Sequence, residues 1–211
     1  MPNKNEKKYY RKEHKLSMNI KKVCIYCASS RQTEPVFRQE ALRLGEILAT
    51  NGITLVYGGS AAGSMGALAQ GAMSQNGRVI GVIPKFMVDL EWANQNISEL
   101  VLVNDLQERK QKMIEGTDAA IALPGGSGTL DELLEAITWK RLGIYLNPII
   151  IVNTNQFYDP LIEQLHKCID QRFMDQRHSH LWTVVDEATE VLPAIQTAPH
   201  WMEEARYFAA I

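Results

Sequence analysis

Two glycine clusters carry the first chemical signal in the chain. Gly58-Gly59-Ser60-Ala61-Ala62-Gly63-Ser64-Met65-Gly66 and Pro124-Gly125-Gly126-Ser127-Gly128-Thr129 each lie between an apolar strand-length run and a helical pattern. Glycine lets the backbone approach an anion closely, and the helix that follows offers unpaired N–H groups and the positive end of its dipole. One such loop is weak evidence, because glycine also makes tight turns; two in one chain favour a phosphorylated ligand. The common phosphate signatures are absent. Gly58-x-x-x-x-Gly63 continues as Ser64-Met65, without the lysine of an ATPase P-loop. Cys27-Ala28-Ser29-Ser30 stands where a dinucleotide fingerprint would follow the first strand. Thr129 breaks the Gly-x-Ser-x-Gly pattern that a nucleophile elbow at Ser127 requires.

Two other spacings invite a chemical reading and lose it. Cys24-Ile-Tyr-Cys27 is formally C-x-x-C. On one strand, at ~3.3 Å per residue, its Cα atoms stand roughly 10 Å apart, beyond the ~7 Å limit of a disulfide. Two buried thiols are expected. His178-Ser-His180 has no cysteine or carboxylate cluster beside it in the sequence, so a surface loop is expected there rather than a metal site.

The elements that must position the glycine loops follow from apolar periodicity. Val23–Cys27, Ile53–Tyr57, Val79–Ile83, Leu100–Val103, Ala119–Leu123, Ile149–Val152 and Thr183–Val185 read as short strands. Helices are predicted over Phe37–Ala49, Met65–Ser74, Leu106–Glu115, from the second loop to about Leu142, over Asp159–Phe173, and from near Ala188. Continuously apolar strands separated by helices need cover on both faces, which means a parallel sheet with right-handed crossovers. The fold class is α/β: a doubly wound, Rossmann-like parallel sheet with helices on both faces. In such a sheet both glycine loops fall at the carboxyl ends of strands, where ligands bind.

Composition agrees with a globular enzyme. Apolar residues make up 45% and charged residues 22%, and a net charge of −2 gives no field to recruit nucleic acid or an acidic membrane. Residues 1–19 carry about +4 and residues 20–211 about −6. The first stretch reads as a mobile basic tail, the second as a single nucleotide-binding catalytic domain. No run approaches the ~20 apolar residues of a membrane span. Three cysteines form no disulfide framework, so the cytoplasm is the expected compartment.

The motifs become specific when taken together. Pro124-Gly-Gly-Ser-Gly-Thr-Leu-Asp-Glu132 fits Pro-Gly-Gly-x-Gly-Thr-x-x-Glu, and Glu108-Arg109-Lys110 precedes it by one strand. Together they resemble the LONELY GUY family of cytokinin riboside 5′-monophosphate phosphoribohydrolases, some of whose bacterial relatives are AMP or nucleotide nucleosidases. The likeness covers about residues 20–200. It includes Cys27-Ala-Ser-Ser30, Val56-Tyr-Gly-Gly59, Gly63-Ser-Met-Gly66, Gly81-Val-Ile-Pro-Lys85, Trp139 and Leu142-Gly143. The chain departs from the family at Ala28, Ser60 and Ser64, and across Lys85–Glu99, which in the family shapes the base side of the pocket. These departures leave the reaction type in place and the base open: adenine, an N6-prenylated adenine or another. An older description of the family as lysine decarboxylase finds no Schiff-base lysine with a pyridinium partner here.

The resemblance implies hydrolysis of the N-glycosidic bond of a nucleoside 5′-monophosphate to free base and ribose 5-phosphate. Such a reaction builds positive charge on the ribose, so it needs a nearby anion, a placed water and a phosphate anchor. Glu132 is the implied catalytic carboxylate, although Thr129-Leu-Asp-Glu132 also reads as a capping box in which Glu132 bonds back to the Thr129 N–H. Arg109 is implied to hold a phosphate or ribose oxygen bidentately and to orient Glu132; the alternative is a solvated helix arginine. Gly125, Gly126, Gly128 and Thr129 would cradle the phosphate, with Gly58, Gly59 and Lys110 lining the same cleft. Ser29 and Ser30 either contact the nucleotide or form a turn. Glu135 either supports the site or faces solvent. No cofactor and no metal are required. Family members are generally homodimers or larger, so a homodimer with no nucleic acid and no membrane partner is expected. The alternative from another class is a non-catalytic nucleotide or molybdenum-cofactor carrier of related fold, which has no need of an Arg109/Glu132 pair. A regulatory dimer that has lost activity is a third reading, which the intact motif opposes.

The tail lacks the apolar residues to repay an ordering cost of ~1–2 kcal/mol per residue. Deleting Met1–Met18 is therefore expected to leave melting temperature, assembly and turnover unchanged. Attraction between the tail and the acidic body would fade with salt, the Debye length being ~8 Å at physiological ionic strength. Loss of activity or of the dimer at both low and high salt would make the tail an ordered part of the protein.

Overall fold

The computed structural model describes residues 19–90 and 92–208; the expected basic tail, Asn19 apart, lies outside them. Seven strands form one sheet: β1 (Lys22–Tyr26), β2 (Thr54–Tyr57), β3 (Val79–Pro84), β4 (Glu99–Val103), β5 (Ala119–Ala122), β6 (Ile149–Val152) and β7 (Thr183–Val185). Their order is β4-β3-β2-β1-β5-β6-β7, and every pairing is parallel. The direction of winding reverses between β1 and β5, the switch point at which open α/β sheets bind ligands.

Alternation along each strand sends side chains to two separate cores. On one face Val23, Ile25, Leu55 and Tyr57 pack under helices α1 (Pro35–Thr50), α2 (Gly63–Ser74) and α7 (Val191–Thr197). On the other, Cys24, Tyr26 and Val56 pack under α4 (Leu106–Ile114), α5 (Ser127–Arg141) and α6 (Asp159–Asp170). The short α3 (Lys85–Asp89) leads out of β3. Cys24 and Cys27 are free and buried, and they join opposite cores, as residues three apart on a strand must. Glycine sets the spacing of α1 and α2: a Cβ at Gly45 would run into the Leu68 carbonyl, and one at Gly71 into the Leu42 carbonyl.

The expected elements are all present, with shifted ends. The helix expected to reach Phe173 stops at Asp170, because Arg172 takes a left-handed φ of 62° and the Phe173 N–H turns back to Cys168. The helix expected near Ala188 begins as a 3₁₀ turn and becomes α-helical only at Val191. His178 corrects the surface-loop expectation: it is fully buried, and its Nδ1 accepts the Asp175 N–H at 3.0 Å. Burial lowers its pKa to about 4. His180 in the same turn is exposed. No group of metal-ligating side chains occurs among the described residues, and none of their helices is long and apolar enough to cross a membrane.

One buried charge stands outside the ligand edge. Lys140 is 1% exposed, near the carboxyl end of α5, and burial lowers its pKa to about 7 from an ordinary 10.5. The folded state therefore bears the full cost of this lysine below pH 7. Stability should rise as pH climbs from 7 toward 10.5, where the unfolded chain holds more protons. Lys140→Met is expected to stabilise the protein by ~3 kcal/mol at pH 6, with the gain vanishing by about pH 10.5. Urea titrations at the two pH values check this; a pH-independent gain would mean the charge is not what burial penalises.

Candidate active site

The site forms where α4 and α5 meet the carboxyl edge of the sheet. Asp105 caps α4, accepting the Glu108 N–H at 2.8 Å, while Glu108 accepts the Asn104 N–H at 2.7 Å. This reciprocal cap fixes the first turn of α4. Arg109 and Met113, one turn apart, then both face inward. In α5 the buried positions Thr129, Glu132, Leu133, Ala136, Ile137 and Lys140 recur at helical spacing, so Glu132 faces the sheet.

These two faces bring Arg109 and Glu132 together. Arg109 Nη1 donates to Glu132 Oε1 at 3.0 Å, with both side chains buried. Arg109 Nε donates to the Val82 carbonyl at 3.0 Å and Nη2 to the Gly58 carbonyl at 3.2 Å. One guanidinium thus joins β3, the end of β2 and α5. Three of its five N–H groups are committed to the protein, which leaves one N–H on each terminal nitrogen. The contact from Nη1 orients Glu132. Gly58 is glycine for the same reason: a Cβ there would run into Arg109 Nη2.

The capping-box alternative for Glu132 is not realised. α5 starts three residues earlier than that reading needs, with Gly126 at its N-cap and no side-chain cap. Glu132 instead faces Arg109, and burial raises its pKa from 4.5 to about 7 while Arg109 pulls it down.

Gly126 and Gly128 have no conformational or packing reason to be glycine. Neither has a positive φ, and a Cβ on either would meet no atom within 4 Å. The space above them, at an uncapped helix N-terminus, is open to an anion. Gly125 serves packing instead, since a Cβ there would collide with Thr129, whose side chain is tucked beneath it. Gly59 takes a φ of 77°, and its carbonyl accepts the Asn94 N–H at 2.8 Å, tying the loop between α3 and β4 to the loop after β2.

The remaining candidates separate. Lys110 Nζ is held by Asp131 and Glu135, each at 3.1 Å, and Gln107 Nε2 donates to Glu135 at 3.2 Å. Lys110 and Glu135 therefore clamp α4 to α5 behind the site. Ser30 makes a turn, its Oγ accepting the Gln32 N–H at 3.3 Å. Ser29 lines a hollow of about 260 Å³ with Arg31, Ser60, Ala61, Ala62 and Trp92. The motifs did not single out Arg31 and Trp92, nor Tyr158, whose hydroxyl donates to the Leu123 carbonyl at 2.7 Å. Nothing in the local sequence of these residues marks them; contacts 30 or more residues apart bring them in.

Fold and site together define a Rossmann-like α/β protein with a buried carboxylate–guanidinium pair beneath a glycine loop open to an anion. A family profile described as possible lysine decarboxylase matches residues 65–195. A cytokinin riboside 5′-monophosphate phosphoribohydrolase of Arabidopsis thaliana is 35% identical over 181 residues, 86% of this chain and 85% of the relative. A probable enzyme of the same description from Oryza sativa is 42% identical over 153 residues, 72% of this chain and 69% of the relative. The chain belongs to this family, the LONELY GUY family that its motifs resemble. Among solved structures, the molybdenum cofactor binding protein of Rippkaea orientalis superposes with a TM-score of 0.65 at 20% identity, covering 85% of this chain and 98% of that one. At that identity the likeness is one of fold alone. The buried lysine with depressed pKa, Lys140, is eight residues beyond Glu132 on α5, ~12 Å along the axis at 1.5 Å per residue, and does not serve this site.

Glu132 titrates near 7 when folded against 4.5 unfolded, so folding takes up a proton between these values and stability falls as pH rises through them. Removing Arg109 strips a buried carboxylate of its partner, a loss of about 3–5 kcal/mol when the charge stays. Arg109→Met is expected to cost ~3 kcal/mol at pH 8 and much less at pH 5, where Glu132 is protonated, as read by urea unfolding. An equal cost at both pH values would mean that the pair is not electrostatically coupled.

Proposed function

We propose that the protein hydrolyses the N-glycosidic bond of a nucleoside 5′-monophosphate, AMP or an N6-modified AMP such as a cytokinin riboside monophosphate, releasing the base and ribose 5-phosphate. The observation that carries this reading is the buried Arg109–Glu132 pair beside a glycine loop whose open positions face no protein atom, in a chain of the phosphoribohydrolase family.

In this reading the phosphate sits over Gly126 and Gly128 at the N-terminus of α5, with Gly125 and Thr129 shaping the loop. Gly58 and Gly59 line the cleft, Ser29 opens onto its neighbouring hollow, and Lys110 acts through the helix clamp. Glu132 stands one turn below the phosphate. As the C1′–N bond breaks, its electrons leave with the base and positive charge grows on the ribose. Ionised Glu132 stabilises that charge and takes a proton from the attacking water, whose oxygen joins C1′; the proton passes on to the departing base. A carboxyl titrating near 7 is suited to both steps at neutral pH. Arg109 sets the carboxylate's orientation and lowers its pKa. No step calls for a cofactor or a metal. The working form in this reading is a cytoplasmic homodimer.

Incubation with AMP and chromatography for adenine is the direct test. Wild-type protein is expected to cleave AMP at least ~100-fold faster than adenosine, which lacks the phosphate. Glu132→Gln is expected to lose ~100-fold or more in kcat, the scale of one electrostatic stabiliser. Equal rates on AMP and adenosine would remove the phosphate cradle; normal turnover by Glu132→Gln would remove its catalytic role.

A further inference from the structure

The backbone just before the Pro124–Thr129 loop is anchored by a side chain from a distant part of the chain. Beyond β5, the Leu123 N–H still donates to the Tyr26 carbonyl of β1, at 2.9 Å. On the other side β6 ends at Val152, and the Asn153 N–H continues the ladder to β7, donating to Val185 at 2.7 Å. Beyond the paired residues of β5, the Tyr158 hydroxyl donates to the Leu123 carbonyl at 2.7 Å. A phenol thus acts as one more rung of the ladder. Pro124 follows and has no N–H, so this is the last rung before the glycine loop.

The segment that delivers Tyr158 is held from several sides. Asn153 accepts the Tyr158 backbone N–H at 2.7 Å through Oδ1 and donates to Asp159 at 2.7 Å through Nδ2. Phe157 packs edge-on against Phe37 of α1, ring centres 5.9 Å apart, and against Tyr158 at 5.0 Å. Between them Asn155 and Gln156 both take left-handed φ values, 54° and 58°, which non-glycine residues adopt only where the surroundings enforce them. Tyr158 is itself 1% exposed. Burial raises its phenol above the usual range, with Cys27 and Glu132 adding to the effect, so the hydroxyl stays a donor close to the site.

We propose that Tyr158 is a positioning residue for the substrate's phosphate: by holding the Leu123 carbonyl it sets where the Pro124–Thr129 loop stands relative to Glu132. This rests on the phosphate cradle proposed above. Tyr158→Phe keeps the ring and removes the rung. It is expected to raise KM for AMP about three- to tenfold, the scale of one neutral hydrogen bond, with kcat within about twofold. Ribose 5-phosphate supplies a readout independent of turnover. The concentration that gives half of its thermal stabilisation should rise by the same factor, while inhibition by adenine stays unchanged. Phe157→Leu, at a half-exposed position, loosens the same segment and should shift both quantities in the same direction by about twofold, which keeps the test open if Tyr158→Phe fails to fold. Unchanged KM and unchanged ribose 5-phosphate response in the folded variants, with only a lower melting temperature, would overturn the role of Tyr158. Wild-type protein that neither cleaves AMP nor responds to ribose 5-phosphate would overturn the cradle itself, and this inference with it.

Discussion

A guanidinium removed from water must find acceptors for its N–H groups, and that requirement organises the ligand edge of this protein. Arg109 meets it with the carbonyls of Val82 and Gly58 and with the carboxylate of Glu132. The first two are backbone groups at the ends of adjacent strands, so their positions are those of the sheet. The third is a side chain on a helix from the other half of the winding. The arginine registers that helix against the sheet, and with it the glycine loop that begins the helix.

The same contacts explain why neighbouring residues are what they are. Gly58 leaves room for the guanidinium, and a methyl group there would displace it. Glu132 is buried, which by itself favours its neutral form; the arginine opposes this, and the carboxyl comes to titrate near neutrality. A group so balanced is poised to exchange a proton at physiological pH. Behind the pair, Lys110 bridges Asp131 and Glu135 and keeps the two helices from separating. A positive residue adjacent to Arg109 in sequence therefore braces the helices that carry the buried pair.

The fold alone does not choose the chemistry. A molybdenum cofactor binding protein shares the architecture at 20% identity, and one architecture hosts unrelated ligands. Beside its fold, this chain pairs a buried carboxylate with an arginine below an open glycine loop. That pairing depends on side chains, and a sheet topology is indifferent to it.

The sequence by itself determined the layers. Short apolar strands alternating with amphipathic helices admit one economical solution, a parallel sheet covered on both faces, and the Pro124–Glu132 motif with Arg109 upstream marked both partners of the buried pair. Local spacing carries such information because burial periodicity and turn chemistry are local properties. The partnerships were decided only by tertiary structure. Whether Glu132 bonds back to its own helix or across to Arg109, whether Lys110 faces ligand or carboxylates, and whether His178 is on the surface or in the core all depend on atoms dozens of residues away. Tyr158 is the clearest instance: 35 residues separate it from Leu123, and its hydroxyl satisfies a carbonyl that lies beyond the paired residues of β5.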